Sequence, residues 1–406
     1  MCGICGIVLK KPVLEADEAE RALRAMAAAL RHRGPDDDGF FFDRPGGVFL
    51  GHRRLAILDL TPAGRQPLWN EDRSACVLVN GELYNWTELR AGLLARGHRF
   101  VSHSDAETLV HLYEERGAEA FEALRGMYAA ALYDVARGVL HFARDPLGIK
   151  PLYVFESEDL LAFASETRAF HGLPGFCGEA NGAALADFLL LGSVPAPRAL
   201  PKKTRALMPG ERIAVEDGRV TSCGGSPVPD WCAADVGDRA HAEEEMRNVL
   251  RDSVRRHLVS DAPIGLFLSG GIDSGALAGM AADALDRPVH TVSVSLDGHP
   301  LDEGALARKT SERYATRHRD VPLTQAEFEQ ALEHFLGHLD QPSIDGFNTY
   351  VVSRAARGAG LTVALSGVGG DEIFAGYANF ARVPRLARWM RAASRLGGAG
   401  RAAAAF

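Results

Sequence analysis

No apolar run in this 406-residue chain is long enough to cross a bilayer, and no basic start leads into an apolar core as a secretory signal would. Cysteine is sparse. The six present (Cys2, Cys5, Cys76, Cys177, Cys223 and Cys232) are too scattered for a disulfide framework. Cys2 and Cys5 have C-x-x-C spacing, but no second pair or nearby histidine completes a zinc site. Positive charge is not in excess either: the net charge of −8 argues against a protein that mainly binds nucleic acid. A cluster of arginines after Glu372 (Arg382, Arg385, Arg388, Arg391, Arg395 and Arg401) reads as one helix face. These absences predict a reduced, cytoplasmic protein with neither a membrane nor a nucleic acid as partner.

What is present is an ordinary globular composition, 47% hydrophobic and 24% charged, in a chain long enough for two or three domains. It opens MCGICGIV. If Met1 is removed, Cys2 becomes the first residue and carries a free α-amine of pKa about 7.7–8.0 beside its thiol. Such an amine can take the thiol proton and activate the nucleophile. A small hydrophobic cysteine near a first strand is the competing account.

Residues 1–220 mix short β-like runs (GGVFLGHRRLAIL, SACVLVNGELY, AALYDVARGVLHFARD, PLYVFESEDLLAFAS) with helical stretches at about 16–31 and 104–124. The second helix is expected to open on a serine or aspartate cap. A Gly-, Pro-, Ser- and Asp-rich stretch at roughly 221–240 reads as a linker. From 241 the texture changes. A helix fits 241–259, and apolar runs IGLFL, PVHTVSVSL and LTVAL alternate with helical segments, which predicts a parallel sheet with crossover helices.

Two glycine-rich loops each end one of these apolar strands. In SGGIDS (269–274), Gly270 and Gly271 allow close backbone approach to an anion at a helix start, and Ser269 and Ser274 add hydroxyls. Asp273 could hold a magnesium ion bridging phosphates. The Gly-Lys-Thr ending of the Walker loop is missing. In SGVGGDEIFAGY (366–377), Asp371 offers a second carboxylate. A capped strand-to-helix turn explains either loop alone; two on one sheet point to a nucleotide.

The stretches MCGICGIV, RHRGPDDDG (31–39), GHRRLAILD (51–59), VNGELYN (79–85), SHSDAETLV (102–110), FARDPLGIKPLY (142–153), SGGIDS and SGVGGDEIFAGY occur in this order over nearly the whole chain. Together they resemble the glutamine-hydrolysing asparagine synthetases, a family of class II glutamine amidotransferases. The resemblance implies an α+β N-terminal nucleophile hydrolase domain, an αββα sandwich, over 1–220. After the linker at 221–240, it implies a partial α/β parallel-sheet domain of the ATP-pyrophosphatase type over 241–406. It implies that Cys2 attacks glutamine and that Asn80 and Gly81 form the oxyanion hole. Arg54 would hold the substrate α-carboxylate, and Glu82 and Asp105 its α-amino end. Around ATP it places Leu268, Ser269, Gly270, Gly271, Asp273, Ser274, Val294, Ser366 and Gly367, with Asp273 and Asp371 on magnesium. ATP would activate a carboxylate, that of aspartate, as an acyl-adenylate, with AMP and pyrophosphate released. Ammonia would reach it from Cys2 by an internal tunnel. A surface ion pair at Arg54, a hairpin turn at Asn80-Gly81 and a helix cap at Asp105 are the structural alternatives.

The chain departs from that family at two places. Val368 stands where asparagine synthetases usually carry a glutamate implicated in proton transfer. The chain also ends at Phe406, where family members commonly continue. Three alternatives follow: aspartate amidation; amidation or cyclisation of another carboxylate such as a sugar acid, a peptide or a β-amino acid; or a glutaminase whose synthetase half is incomplete. The shortened end predicts a chain that hydrolyses glutamine but makes little asparagine, as a homodimer or with a completing partner chain.

Overall fold

The computed structural model describes residues 1–11, 14–216, 219–225, 238–296, 299–300 and 302–394. The chain forms two compact units, Met1–Ile264 with Thr324–Val363, and Gly265–Leu323 with Ala364–Phe406. No helix among the described residues is long and apolar enough to cross a membrane.

The first unit holds two antiparallel six-stranded sheets. One runs in the order β10 (Thr204–Ala206), β8 (Tyr153–Glu156), β9 (Leu160–Ala164), β1 (Gly3–Leu9), β3 (Val48–Arg54), β2 (Asp37–Asp43). The other runs β12 (Arg219–Gly225), β11 (Glu211–Glu216), β7 (Val139–Arg144), β6 (Gly126–Asp134), β5 (Ala75–Leu83), β4 (Leu68–Trp69). Both faces of each sheet are covered. Ile4, Val8, Leu50, Leu78, Ala131, Phe142 and Phe163 interdigitate between the sheets. Helix α1 (Ala16–Ala29) covers the first sheet through Leu23 and Met26 against Cys5, Ile7 and Phe49. Helices α2 (Trp86–Ala95) and α3 (Glu107–Arg116) cover the second. The result is the αββα sandwich that the family resemblance implies. Because β1 is buried on both sides, it reads as a continuous apolar run rather than an alternation. Helix α4 (Gly182–Leu191) follows in this unit.

The helix expected over 104–124 is shorter. It ends at Gly117, whose φ of 56° admits glycine with little strain, and continues as a 3-10 turn over Gly117–Ala123. Its expected side-chain cap is absent: Asp105 turns its carboxylate to the amide of Leu83, 2.7 Å away. Strand β12 (Arg219–Gly225) runs on into the stretch read as a linker, as far as 225, and α5 (Arg239–His257) begins at its end; 226–237 lie outside the described residues. So does the end of the chain from 395.

The second unit is built on a sheet in the order β15 (Arg317–Pro322), β14 (His290–Ser295), β13 (Ile264–Phe267), β16 (Val363–Leu365). Strands β13, β14 and β15 run parallel. Helices α6 (Ile272–Ala284) and α7 (Gly304–Arg313) are the crossovers, and Leu268, Ala278 and Ala307 form their core. Helices α8 (Gln325–His338) and α9 (Phe347–Gly358) belong to the first unit, and α10 (Gly370–Phe374) and α11 (Asn379–Ser394) to the second.

Candidate active site

Period two decides which side chains enter the sandwich interior. On β1, Ile4 and Val8 face the other sheet, so Cys2, two residues earlier, falls on the same row. On β3 the row is Val48, Leu50, His52, Arg54; on β5 it is Cys76, Leu78, Asn80, Glu82. Ile4 pairs with His52 and Gly3 with Arg53, so the polar ends of two rows adjoin on one sheet.

The Cys2 sulphur accepts from the Leu55 amide at 3.4 Å and lies 3.7 Å from the Leu55 carbonyl. Burial raises its thiol pKa, against the nearby amino terminus and the Leu55 contact. Burial also brings the Met1 α-amine down to about 6, so that it is largely neutral at pH 7. Arg33 donates through Nε to the Cys2 carbonyl at 2.9 Å and pairs through Nη1 with Glu166 at 2.8 Å. Burial opposes ionisation of Glu166, but His32 and Arg33 outweigh it and hold its pKa at about 2.

Asn80 is fully buried, and neither its side-chain oxygen nor its nitrogen has a hydrogen-bond partner among the described residues. Leaving such an amide unpaired costs about 1–3 kcal/mol. Asn80 and Gly81 lie within β5, paired with Ala129 and Tyr128, so the hairpin alternative is set aside. A Cβ at Gly81 would stand 2.0 Å from the Met127 carbonyl oxygen, which excludes any other residue there.

Arg54 is buried and makes no ion pair among the described residues. Its guanidinium donates to the carbonyls of Thr61 (2.7 Å), Leu58 (3.4 Å) and Asp59. Among the described residues three of its five N–H groups are so used and two remain. Gly64 packs against the same group, where a Cβ would be 2.2 Å from Nη2.

Burial and the neighbouring Asp105 charge push Glu82 up to about 7, with Lys150 opposing. Burial raises Asp105 too, against its bond from the Leu83 amide. Lys150 is buried, and that burial lowers its ammonium pKa. Asp145 sets its position, accepting from the amides of Leu147, Ile149, Lys150 and Tyr128 at 2.9–3.3 Å. A cavity of about 210 Å³ opens here, lined by Leu58, Glu82, Tyr84, Asp105, Arg255 and Arg256. Arg33, Asp145 and Lys150 were not singled out from the sequence, although they lie in the stretches RHRGPDDDG and FARDPLGIKPLY. Their roles depend on loop geometry.

In the second unit the SGGIDS loop joins β13 to α6. Ser269 and Ser274 hydroxyls are 2.9 Å apart, the Gly271 amide donates to Ser269 Oγ at 3.1 Å, and the Gly270 amide to Glu303 at 2.9 Å. Leu268 is buried behind them, and Val294 lies near the end of the neighbouring β14. The second loop closes on the first: a Cβ at Gly367 would be 3.0 Å from Asp273 Cβ, and one at Gly370 would be 2.5 Å from Asp273 Oδ2. Asp371 is in the first turn of α10. Ser366 Oγ accepts from the Val368 amide, and the Val368 side chain is exposed. The candidate ATP residues of both loops therefore share one end of one sheet, where open α/β sheets bind ligands.

Residues 1–224 match a family model described as a glutamine amidotransferase domain, and residues 245–405 one described as asparagine synthase. The glutamine-hydrolysing asparagine synthetase 1 of Bacillus subtilis is 34% identical over 95% of this chain and 60% of its own length. Asparagine synthetase B of Escherichia coli is 31% identical over 95% of this chain and 66% of its own. A solved glutamine phosphoribosylpyrophosphate amidotransferase from B. subtilis superposes with a TM-score of 0.40 at 17% identity, over 90% of this chain and 81% of that one. The chain thus spans about 60% of the length of its B. subtilis asparagine synthetase relative. On the two domain matches and these identities, the chain belongs to the family of glutamine-hydrolysing asparagine synthetases.

Proposed function

We propose that the chain hydrolyses glutamine at Cys2 and passes the ammonia to a carboxylate activated by ATP, that of aspartate. The observation that carries the reading is Asn80: a buried amide with no partner, on the row of β5 that faces the row of Cys2 across the sandwich.

In this reading Met1 is removed and the α-amine of Cys2 takes the thiol proton. Sulphur attacks the side-chain amide carbon of glutamine, and the carbonyl electron pair moves to oxygen. Asn80 and the Gly81 amide receive that oxyanion. The pair returns, the C–N bond breaks, and nitrogen leaves as ammonia with the proton the amine held. Water then cleaves the thioester to glutamate. Two free N–H groups of Arg54 take the α-carboxylate, and Glu82 and Asp105 take the α-ammonium, whose charge suits two crowded carboxylates.

In the second unit the glycine amides and serine hydroxyls would hold the ATP phosphates, with Leu268 and Val294 beside the base and Ser366 and Gly367 closing the site. Asp273 and Asp371 fit a magnesium ion: both are hard oxygen donors, and neither carboxylate makes a hydrogen bond or ion pair among the described residues. Bound there, magnesium would neutralise phosphate charge. The domain division goes with this reading, 1–220 for the glutaminase, 221–240 for the link and 241–406 for the synthetase. The exposed Val368 favours a second reading, a carboxylate other than aspartate, since valine accepts no proton. The test is AMP release in the presence of glutamine, with and without aspartate. Release that needs glutamine and aspartate supports the first reading; release indifferent to aspartate favours the second.

A further inference from the structure

On the helical side of the second sheet, four side chains from three separate segments converge. Glu71 lies just after β4, His98 just after α2, and His111 and Glu114 sit one turn apart on α3. One ligand atom from each lies within 4.8 Å of all the others. Both imidazoles present Nδ1 to the centre. His98 Nδ1 is 3.2 Å from Glu71 and 3.5 Å from Glu114; His111 Nδ1 is 3.1 Å from Glu71 and 3.2 Å from Glu114. Donors placed tetrahedrally about one zinc ion, at bond lengths of about 2.0–2.2 Å, stand roughly 3.4 Å apart.

The surrounding contacts are those of a built site. Each imidazole turns its second nitrogen to another carboxylate, His98 Nε2 to Glu115 at 3.4 Å and His111 Nε2 to the buried Glu107 at 3.6 Å. Such outer carboxylates orient histidine ligands and make them more basic. The inner carboxylates are also fixed from behind: Glu71 accepts from the Arg99 amide at 2.7 Å, and Glu114 from Asn70 Nδ2 at 3.0 Å. His111 is fully buried, with its Nδ1 held between the carboxylates of Glu71 and Glu114. A histidine in that position, beside two close carboxylates, is better accounted for by a cation than by a chance surface pairing.

We propose that Glu71, His98, His111 and Glu114 form a structural zinc site that clips the segment after β4 and the segment after α2 to helix α3. The donor set of two imidazoles and two carboxylates suits zinc rather than magnesium or calcium, which take oxygen. Four protein ligands leave no open position, so the site holds structure and activates no water.

The test titrates the full chain, without a histidine tag and in a Cys2→Ser background, with zinc chloride by calorimetry and with cobalt(II) by visible absorption. The expected result is one ion per chain, bound at micromolar concentration or tighter, with the absorption of tetrahedral cobalt. His98→Ala and Glu114→Gln, at partly exposed positions, should keep the wild-type circular dichroism and weaken zinc at least tenfold. Glu115→Gln should weaken it less. Failure of the parent chain to bind either ion would overturn the proposal. Equal affinity in the parent and both inner variants would do so as well.

Discussion

The backbone amide of Leu55 donates to the Cys2 sulphur at 3.4 Å. Leu55 directly follows β3, so the strand whose interior row ends in Arg54 also fixes the cysteine of the neighbouring strand. The proposed nucleophile and the candidate carboxylate anchor are thereby set by one strand pairing.

Asn80→Ala should lower kcat for glutamine hydrolysis by about 10²–10³, or roughly 2.7–4 kcal/mol, with KM little changed. The same change removes an unpaired buried amide. It should therefore cost little in stability, as read by urea unfolding. A large loss of stability with normal kcat would make Asn80 a packing residue.

Glu82 titrates at about 7 against an ordinary 4.5. The folded chain therefore holds this proton more tightly than the unfolded one. Its contribution is fully present below about 4.5 and is lost as pH rises through 7. Glu82→Gln should flatten the fall in ligand-free stability over that window, read by urea unfolding at several pH values. Glutamine binding near pH 7 should release a proton in wild type, because the ammonium favours the ionised carboxylate. Calorimetry in two buffers of different ionisation enthalpy reads that proton, and its absence would contradict the assignment.

Arg54→Ala should raise KM for glutamine more than it lowers kcat, since the α-carboxylate keeps its charge throughout. The carbonyls of Leu58, Asp59 and Thr61 lose their donor as well, so the melting temperature should fall. A normal KM would remove the binding role and leave only the loop-holding one.

Much of this arrangement was legible in the sequence. The β-like runs, the N-terminal cysteine and the two glycine loops are local patterns; the rows that bring Cys2, Arg54 and Asn80 to the sandwich interior emerge only from the strand register. Other features were not. Strand β15, RHRDVP, is a polar edge strand with no apolar alternation to reveal it. Helix α2 has apolar residues on more than one side and no side-chain cap, so its period is faint. Lys150 enters the first site only because Asp145 gathers four backbone amides. The Glu71–His98–His111–Glu114 cluster joins positions far apart in the chain, and no spacing rule foreshadows it.

Asp273→Asn should weaken Mg-ATP binding while leaving glutamate release unchanged, as the two sites lie in separate compact units. Gly370→Ala should act likewise, because its Cβ would fall 2.5 Å from Asp273 Oδ2. Calorimetry with Mg-ATP checks both, and wild-type affinity in either variant would contradict the shared-loop geometry.

The central claim is that Cys2 is the glutamine nucleophile, and a diazoketone analogue of glutamine tests it most directly. Peptide mapping by mass spectrometry after incubation should find one adduct, on an amino-terminal peptide that begins at Cys2. Cys2→Ala should carry no adduct and release no glutamate. Glutamate release by Cys2→Ala, or an adduct on any other cysteine, would contradict the account.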